Sequence, residues 1–156
     1  MLDIGDTAPD VTLQMADGSA APLASLLGKP LVLFFYPKDD TSGCTREAID
    51  FSQHLPAFVA AGASVSGISK NGPKDHAKFT AKHQLTVPLA TDPDGSVCEA
   101  FGTWIEKSLY GRKYMGIDRA TFLIDGDGKV AKVWRKVKVP GHVEAVLTAV
   151  QALPRA

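Results

Sequence analysis

Cys44 is the residue whose type and setting most clearly suit chemistry. It lies in Tyr36-Pro37-Lys38-Asp39-Asp40-Thr41-Ser42-Gly43-Cys44-Thr45-Arg46-Glu47, directly after the apolar run Leu31-Val32-Leu33-Phe34-Phe35. The run reads as a buried strand, and the residues beyond Cys44 read as a helix. A thiol at that junction meets the unpaired N–H groups and the positive dipole end of the first helical turn, and both favour a thiolate. The competing reading is an inert core cysteine. Small polar neighbours (Ser42, Gly43, Thr45) and the hydroxyls of Thr41 and Ser42 favour a reactive thiol. The same position would suit a phosphatase or a thiol transferase. A phosphatase loop of the Cys-x5-Arg type is absent, because Asp50 is the sixth residue after Cys44.

The elements that must position Cys44 follow from periodicity. Residues 10–14 alternate as a short strand, Asp17-Gly18 centres a turn, and residues 22–27 form a helical turn ended at Gly28. Residues 31–35 are apolar on both faces, as in a central covered strand. From Thr45 to Ala61 a helix carries the stripe Ala48, Phe51, Leu55, Phe58 and Val59, with Pro56 expected to kink it or begin a new turn. A strand over 63–69, a helix from Pro73 to about His83 and a short extended piece over 85–90 follow. Ser96 is expected to cap a helix through Phe101, with Glu99 completing a capping box. Residues 103–116 read as a long polar and aromatic loop. Residues 120–124 and 129–135 form a hairpin around Asp125-Gly126-Asp127-Gly128, which fits a turn better than a calcium loop. A last helix carries Val143, Val146, Leu147, Val150 and Leu153. This order predicts an α/β chain with a central mixed β-sheet flanked by helices, and the thioredoxin-like fold satisfies it. No linker or repeat divides the sequence, so residues 1–156 are expected to form a single domain.

The totals narrow the function further. Lys+Arg and Asp+Glu are both 17, so the formal net charge is zero and gives no support to a bulk nucleic-acid footprint, though it leaves room for a local basic patch. The basic group Lys107, Arg112, Lys113 and Arg119 could form a positive patch or belong to a solvated loop, and Lys132, Arg135, Lys136 and Lys138 are expected along an exposed strand and loop. No signal-peptide pattern or long apolar stretch occurs, so a cytoplasmic protein without membrane association is expected. Neither a Cys-x-x-Cys pair, a P-loop nor a Gly-x-Gly-x-x-Gly fingerprint is present. His54, His76, His83 and His142 are scattered over separate elements and are expected to be solvated rather than metal-bound.

Three elements together resemble a peroxiredoxin of the bacterioferritin comigratory protein subfamily, also called PrxQ, over nearly the whole chain. They are Pro37-x-x-x-Thr41-x-x-Cys44, Arg119 in Gly116-Ile117-Asp118-Arg119-Ala120-Thr121, and the segment from Trp104 to Gly116 with Lys107-Ser108-Leu109-Tyr110-Gly111. The resemblance implies a thiol-dependent peroxidase acting on hydrogen peroxide and organic hydroperoxides. Cys44 would attack the near oxygen of the O–O bond and become a sulfenic acid. Thr41 would hydrogen-bond the peroxide, Pro37 would cover the pocket, and Arg119 would stabilise the thiolate and the charge growing on the departing oxygen. The backbone N–H groups of Cys44 and Gly43 would bind peroxide oxygen. Neither a metal nor an organic cofactor is implied.

The chain departs from this family in two ways. Many members carry a resolving cysteine five or thirty-six residues after the first, where this chain has Ile49 and Thr80. The other cysteine, Cys98, reads as a small packed helix residue. It could also be a resolver at an unusual place, which would need close Cα atoms or local unfolding. A one-cysteine cycle is therefore expected, with thioredoxin, glutaredoxin or glutathione supplying the external thiol. The second departure is Ser42, where close relatives carry proline, a change that leaves the loop with more backbone freedom. The resemblance favours a monomer, with an apolar rim suited to a weak dimer. The rival function is a non-enzymatic thioredoxin-fold redox sensor or binding protein.

Overall fold

The computed structural model describes residues 2–153. In chain order the elements are β1 (Thr12–Met15), β2 (Ala20–Pro22), a 3-10 turn (Leu23–Leu26), β3 (Leu31–Phe35), α1 (Ser42–Ala60), β4 (Ser64–Ser69), α2 (Pro73–His83), β5 (Leu89–Thr91), α3 (Ser96–Ala100), β6 (Trp104–Leu109), β7 (Arg112–Ile117), β8 (Ala120–Ile124), β9 (Val130–Trp134) and α4 (His142–Gln151). Among the described residues seven strands form one mixed sheet ordered β2-β1-β5-β4-β3-β8-β9, while β6 and β7 pair separately. Strands β3, β4 and β5 are parallel, and β8 runs antiparallel to β3. This is the thioredoxin-like arrangement expected from the order of elements.

The sheet is buried on both sides because β3 is apolar on both sides. Val32, Phe34 and Tyr36 pack with Phe51 and Phe58 of α1, Phe79 of α2 and Val143, Val146 and Val150 of α4. Leu31, Leu33 and Phe35 face the opposite layer, with Val97 and Cys98 of α3, Phe101 and Phe122. Phe34 stacks on Phe51 with ring centroids 4.3 Å apart. Each fully buried side chain of this size contributes about 1.5–3 kcal/mol. Gly67 of β4 permits this packing, since a Cβ there would lie 2.5 Å from the Phe34 ring.

Several elements differ from their sequence expectation, each for a local reason. Helix α1 begins at Ser42 and continues through Pro56 to Ala60. Proline removes the N–H that would bond the carbonyl four residues back, which is Ser52. That carbonyl instead accepts the Thr86 hydroxyl at 3.2 Å, and the Ser52 hydroxyl oxygen accepts the backbone N–H groups of Thr86 and Val87. Val59, placed in the apolar stripe by its spacing, is exposed near the end of α1. The capping box at Ser96 does not form. Gly95 occupies the cap position, and Asp92 accepts the N–H groups of Val97 and Cys98 from outside the helix.

The expected loop over 103–116 is instead the β6–β7 hairpin. Tyr110 and Gly111 both have positive φ (50° and 77°), the requirement of a tight hairpin turn whose twist matches its strands.

Candidate active site

The β3–β8 register builds the site. Phe35 at the end of β3 lies opposite Ala120 at the start of β8. The chain leaving β3 toward α1 therefore passes the residue entering β8. Cys44 arrives in the first turn of α1, and Arg119 stands one residue before β8. Arg119 Nη2 donates to Cys44 Sγ at 3.2 Å, and Arg119 Nη1 donates to Glu47 Oε1 at 2.8 Å. Gly43 leaves room for this approach, because a Cβ there would lie 3.1 Å from Arg119 Nη2. Cys44 and Glu47 are buried, one helical turn apart on the same face of α1.

Thr41 is the residue before α1, with extended backbone, but its hydroxyl does not cap the helix. It donates to the Lys38 carbonyl at 3.0 Å. The N–H groups of Ser42, Gly43 and Cys44 precede the first backbone bond of the turn, which runs from Thr45 N–H to the Thr41 carbonyl at 2.8 Å. Pro37 opens the loop and is half-buried.

One guanidinium thus serves two acids. Burial works against the Arg119 charge, but the Glu47 carboxylate and the Cys44 sulfur outweigh it and raise the guanidinium pKa above its ordinary value. Glu47 is fully enclosed. Burial pushes its carboxyl up to about 7 although Arg119 pulls it down. Its Oε2 has no hydrogen-bond partner among the described residues and lies 3.9 Å from His142 Nε2. That nitrogen is 2.8 Å from the Thr121 hydroxyl. Burial and the Arg119 charge lower His142 to about 4, so the imidazole is neutral at neutral pH. Lys107 of β6 is also lowered, by burial and, against the pull of Asp118, by Arg119. The arrangement is an enclosed thiol with a fixed cationic donor on one side and a helix N-terminus on the other. It suits attack on a bond whose leaving atom gains negative charge.

The AhpC/TSA family profile matches residues 4–133. Peroxiredoxin Bcp of Xanthomonas campestris is 43% identical over 97% of this chain and 95% of its own length. Peroxiredoxin Bcp of Bacillus subtilis is 44% identical over 94% of this chain and 93% of its own. The chain is a Bcp/PrxQ peroxiredoxin. Among solved structures, Xanthomonas campestris peroxiredoxin Q superposes with a TM-score of 0.89 at 43% identity, covering 97% of this chain and 96% of that one. The same organism's bacterioferritin comigratory protein, studied for its alkyl peroxide reduction, also gives 0.89, at 42% identity and 97% coverage of each chain. Membership makes this peroxiredoxin a thiol-dependent peroxidase that works through a cysteine intermediate.

Within this peroxiredoxin, the sequence-predicted Cys44 and Arg119 come into direct contact, and Thr41 and Pro37 lie on the loop that delivers Cys44. Cys98 lies elsewhere. It is fully buried in α3 against the opposite face of the sheet, and burial with the neighbouring Asp92 raises its thiol above the ordinary range. Ile49 sits half-buried on α1 and Thr80 half-buried on α2.

Sequence reasoning missed Glu47, whose spacing of three from Cys44 on a helix was the available signal. The expectation of four solvated histidines fails for two of them. His76 and His142 are buried, each held by polar partners that no local sequence pattern reveals. Among the described residues no helix is long and apolar enough to cross a membrane.

Proposed function

We propose that residues 1–156 work as one cytoplasmic thioredoxin-like domain that reduces hydrogen peroxide and organic hydroperoxides by a one-cysteine cycle. The Cys44 thiolate attacks the near peroxide oxygen and the O–O bond breaks. Its electron pair leaves on the distal oxygen, which takes a proton and departs as water or an alcohol. Cys44 is left as a sulfenic acid. Arg119 and the N–H groups of Gly43 and Cys44 stabilise the departing charge, the Thr41 hydroxyl orients the peroxide, and Pro37 shields the pocket. An external thiol from thioredoxin, glutaredoxin or glutathione then condenses with the sulfenic acid to a mixed disulfide and water. A second thiol releases Cys44 and completes the two-electron reduction.

The observation that carries the reading is the 3.2 Å contact from Arg119 to Cys44 Sγ at the first turn of α1. The external thiol is supported by Cys98, which is separated from Cys44 by the central sheet. A disulfide between them needs Cα atoms within about 7 Å. The protein works as a monomer, and the exposed Leu109, Tyr110, Tyr114 and Met115 of the β6–β7 hairpin suit weak self-association. Cys44→Ser abolishes thiol-dependent peroxide consumption. Consumption by C44S at the wild-type rate would sink the mechanism and leave the redox-sensor or binding reading.

A further inference from the structure

The loop that delivers Cys44 is held from behind by a buried polar cluster in which the chemistry proposed above has no direct part. Asp39 lies midway between Pro37 and Thr41 and is buried. Its Oδ1 accepts the Tyr36 hydroxyl at 2.6 Å, and its Oδ2 lies 2.7 Å from His76 Nδ1. Its backbone N–H donates to Asn71 Oδ1 at 2.8 Å. His76, on α2, is fully enclosed, and its Nε2 lies 3.0 Å from the Ala90 carbonyl. A backbone carbonyl only accepts, so Nε2 carries a proton. The second ring nitrogen then faces a carboxylate oxygen, and a proton must lie between them for the contact to attract. The next residue, Asp40, has φ +60° and accepts Lys82 and His83 of the same helix at 2.8 and 2.9 Å. Two consecutive loop residues are therefore bound to α2, and the inner bond is shielded from solvent.

We propose that Asp39 and His76 form a positioning pair for peroxide reduction. They fix the loop from Lys38 to Gly43, and through it the Thr41 hydroxyl and the N–H groups at the start of α1. The link is direct in the chain. The Lys38 carbonyl that accepts the Thr41 hydroxyl belongs to the residue before Asp39. Leaving either partner of this buried bond alone in the interior is costly, so the bond resists opening and holds the loop against α2. The pair touches neither peroxide nor sulfur. Its loss should impair the reaction that needs oriented donors far more than alkylation of the thiolate, which needs none. This inference rests on Cys44 being the nucleophile.

The test uses the full chain in a Cys98→Ser background, where Cys44 is the only thiol. Two rates are measured, Cys44 oxidation by hydrogen peroxide and Cys44 alkylation by iodoacetamide. Asp39→Ala and His76→Phe should slow oxidation at least tenfold and slow alkylation by less than threefold, if at all. The double variant Asp39→Ala/His76→Phe leaves no unpaired buried charge and should show the same loss, which covers the case where a single variant does not fold. Asp39→Asn should retain oxidation within threefold, because the carboxamide N–H can donate to His76 Nδ1 while its oxygen accepts Tyr36. Oxidation within threefold of the parent in the alanine and phenylalanine variants would overturn the proposal, as would equal losses in both reactions. If the parent itself does not react with peroxide, the function proposed for Cys44 fails first and this inference falls with it.

Discussion

Replacing Glu47 by glutamine isolates the least comfortable group in the structure. Glu47 is a fully buried carboxyl with one oxygen on Arg119 and the other without a hydrogen-bond partner among the described residues. Its pKa rises from an ordinary 4.5 to about 7, chiefly through burial, with Arg119 opposing and Asp50 adding slightly. A folded-state pKa above the unfolded value means that the folded protein holds the proton more tightly. The associated stability is fully present below pH 4.5 and is lost as pH rises through 7. At 1.36 kcal/mol per pH unit, this window corresponds to about 3 kcal/mol. The carboxamide of E47Q keeps the oxygen that accepts Arg119 and has no proton to lose. The stability of E47Q relative to wild type should therefore climb by about 3 kcal/mol between pH 4.5 and pH 8. His142, which titrates in the opposite sense near 4, is common to both proteins and cancels in the difference. Urea unfolding of both proteins across this range measures it. Parallel stability curves would refute the reasoning, because Glu47 would then carry no extra proton in the folded state.

Arg119→Ala removes the donor to Cys44 and should slow oxidation by hydrogen peroxide roughly a hundredfold or more, as read by stopped-flow. The same change strands the Glu47 carboxylate, so Arg119→Ala/Glu47→Gln should melt above Arg119→Ala alone at pH 8 while remaining as slow. Thr86→Val leaves the Ser52 carbonyl without the partner that Pro56 denies it. The bond is exposed, so its loss should cost about 0.5–1.5 kcal/mol in urea unfolding with no change in peroxide rate; an unchanged midpoint would show that water fully replaces the hydroxyl.

Much of this arrangement was readable because it rests on short-range patterns. The apolar run at 31–35, the helix from Pro73 to His83 and the turn at 125–128 carry their periodicity and breakers within a few residues. The pair Cys44 and Arg119 was reachable only through the resemblance, since their contact depends on the register of β8 against β3. The β6–β7 hairpin escaped because most of its side chains face solvent and its turn is Tyr-Gly rather than Asn-Gly. The buried imidazoles escaped for another reason. Whether a histidine is enclosed depends on carboxylates and carbonyls that the fold brings from distant positions, such as Asp39 and Ala90 around His76.

The central claim is that Cys44 alone carries the oxidised intermediate and that Cys98 does not resolve it. Intact-mass measurement after one equivalent of hydrogen peroxide, without added thiol, addresses both parts at once. Wild type and Cys98→Ser should each gain one oxygen, and Cys44→Ser should gain none. A loss of two hydrogens in wild type that disappears in Cys98→Ser would contradict the account, because it would mean that a Cys44–Cys98 disulfide forms across the sheet.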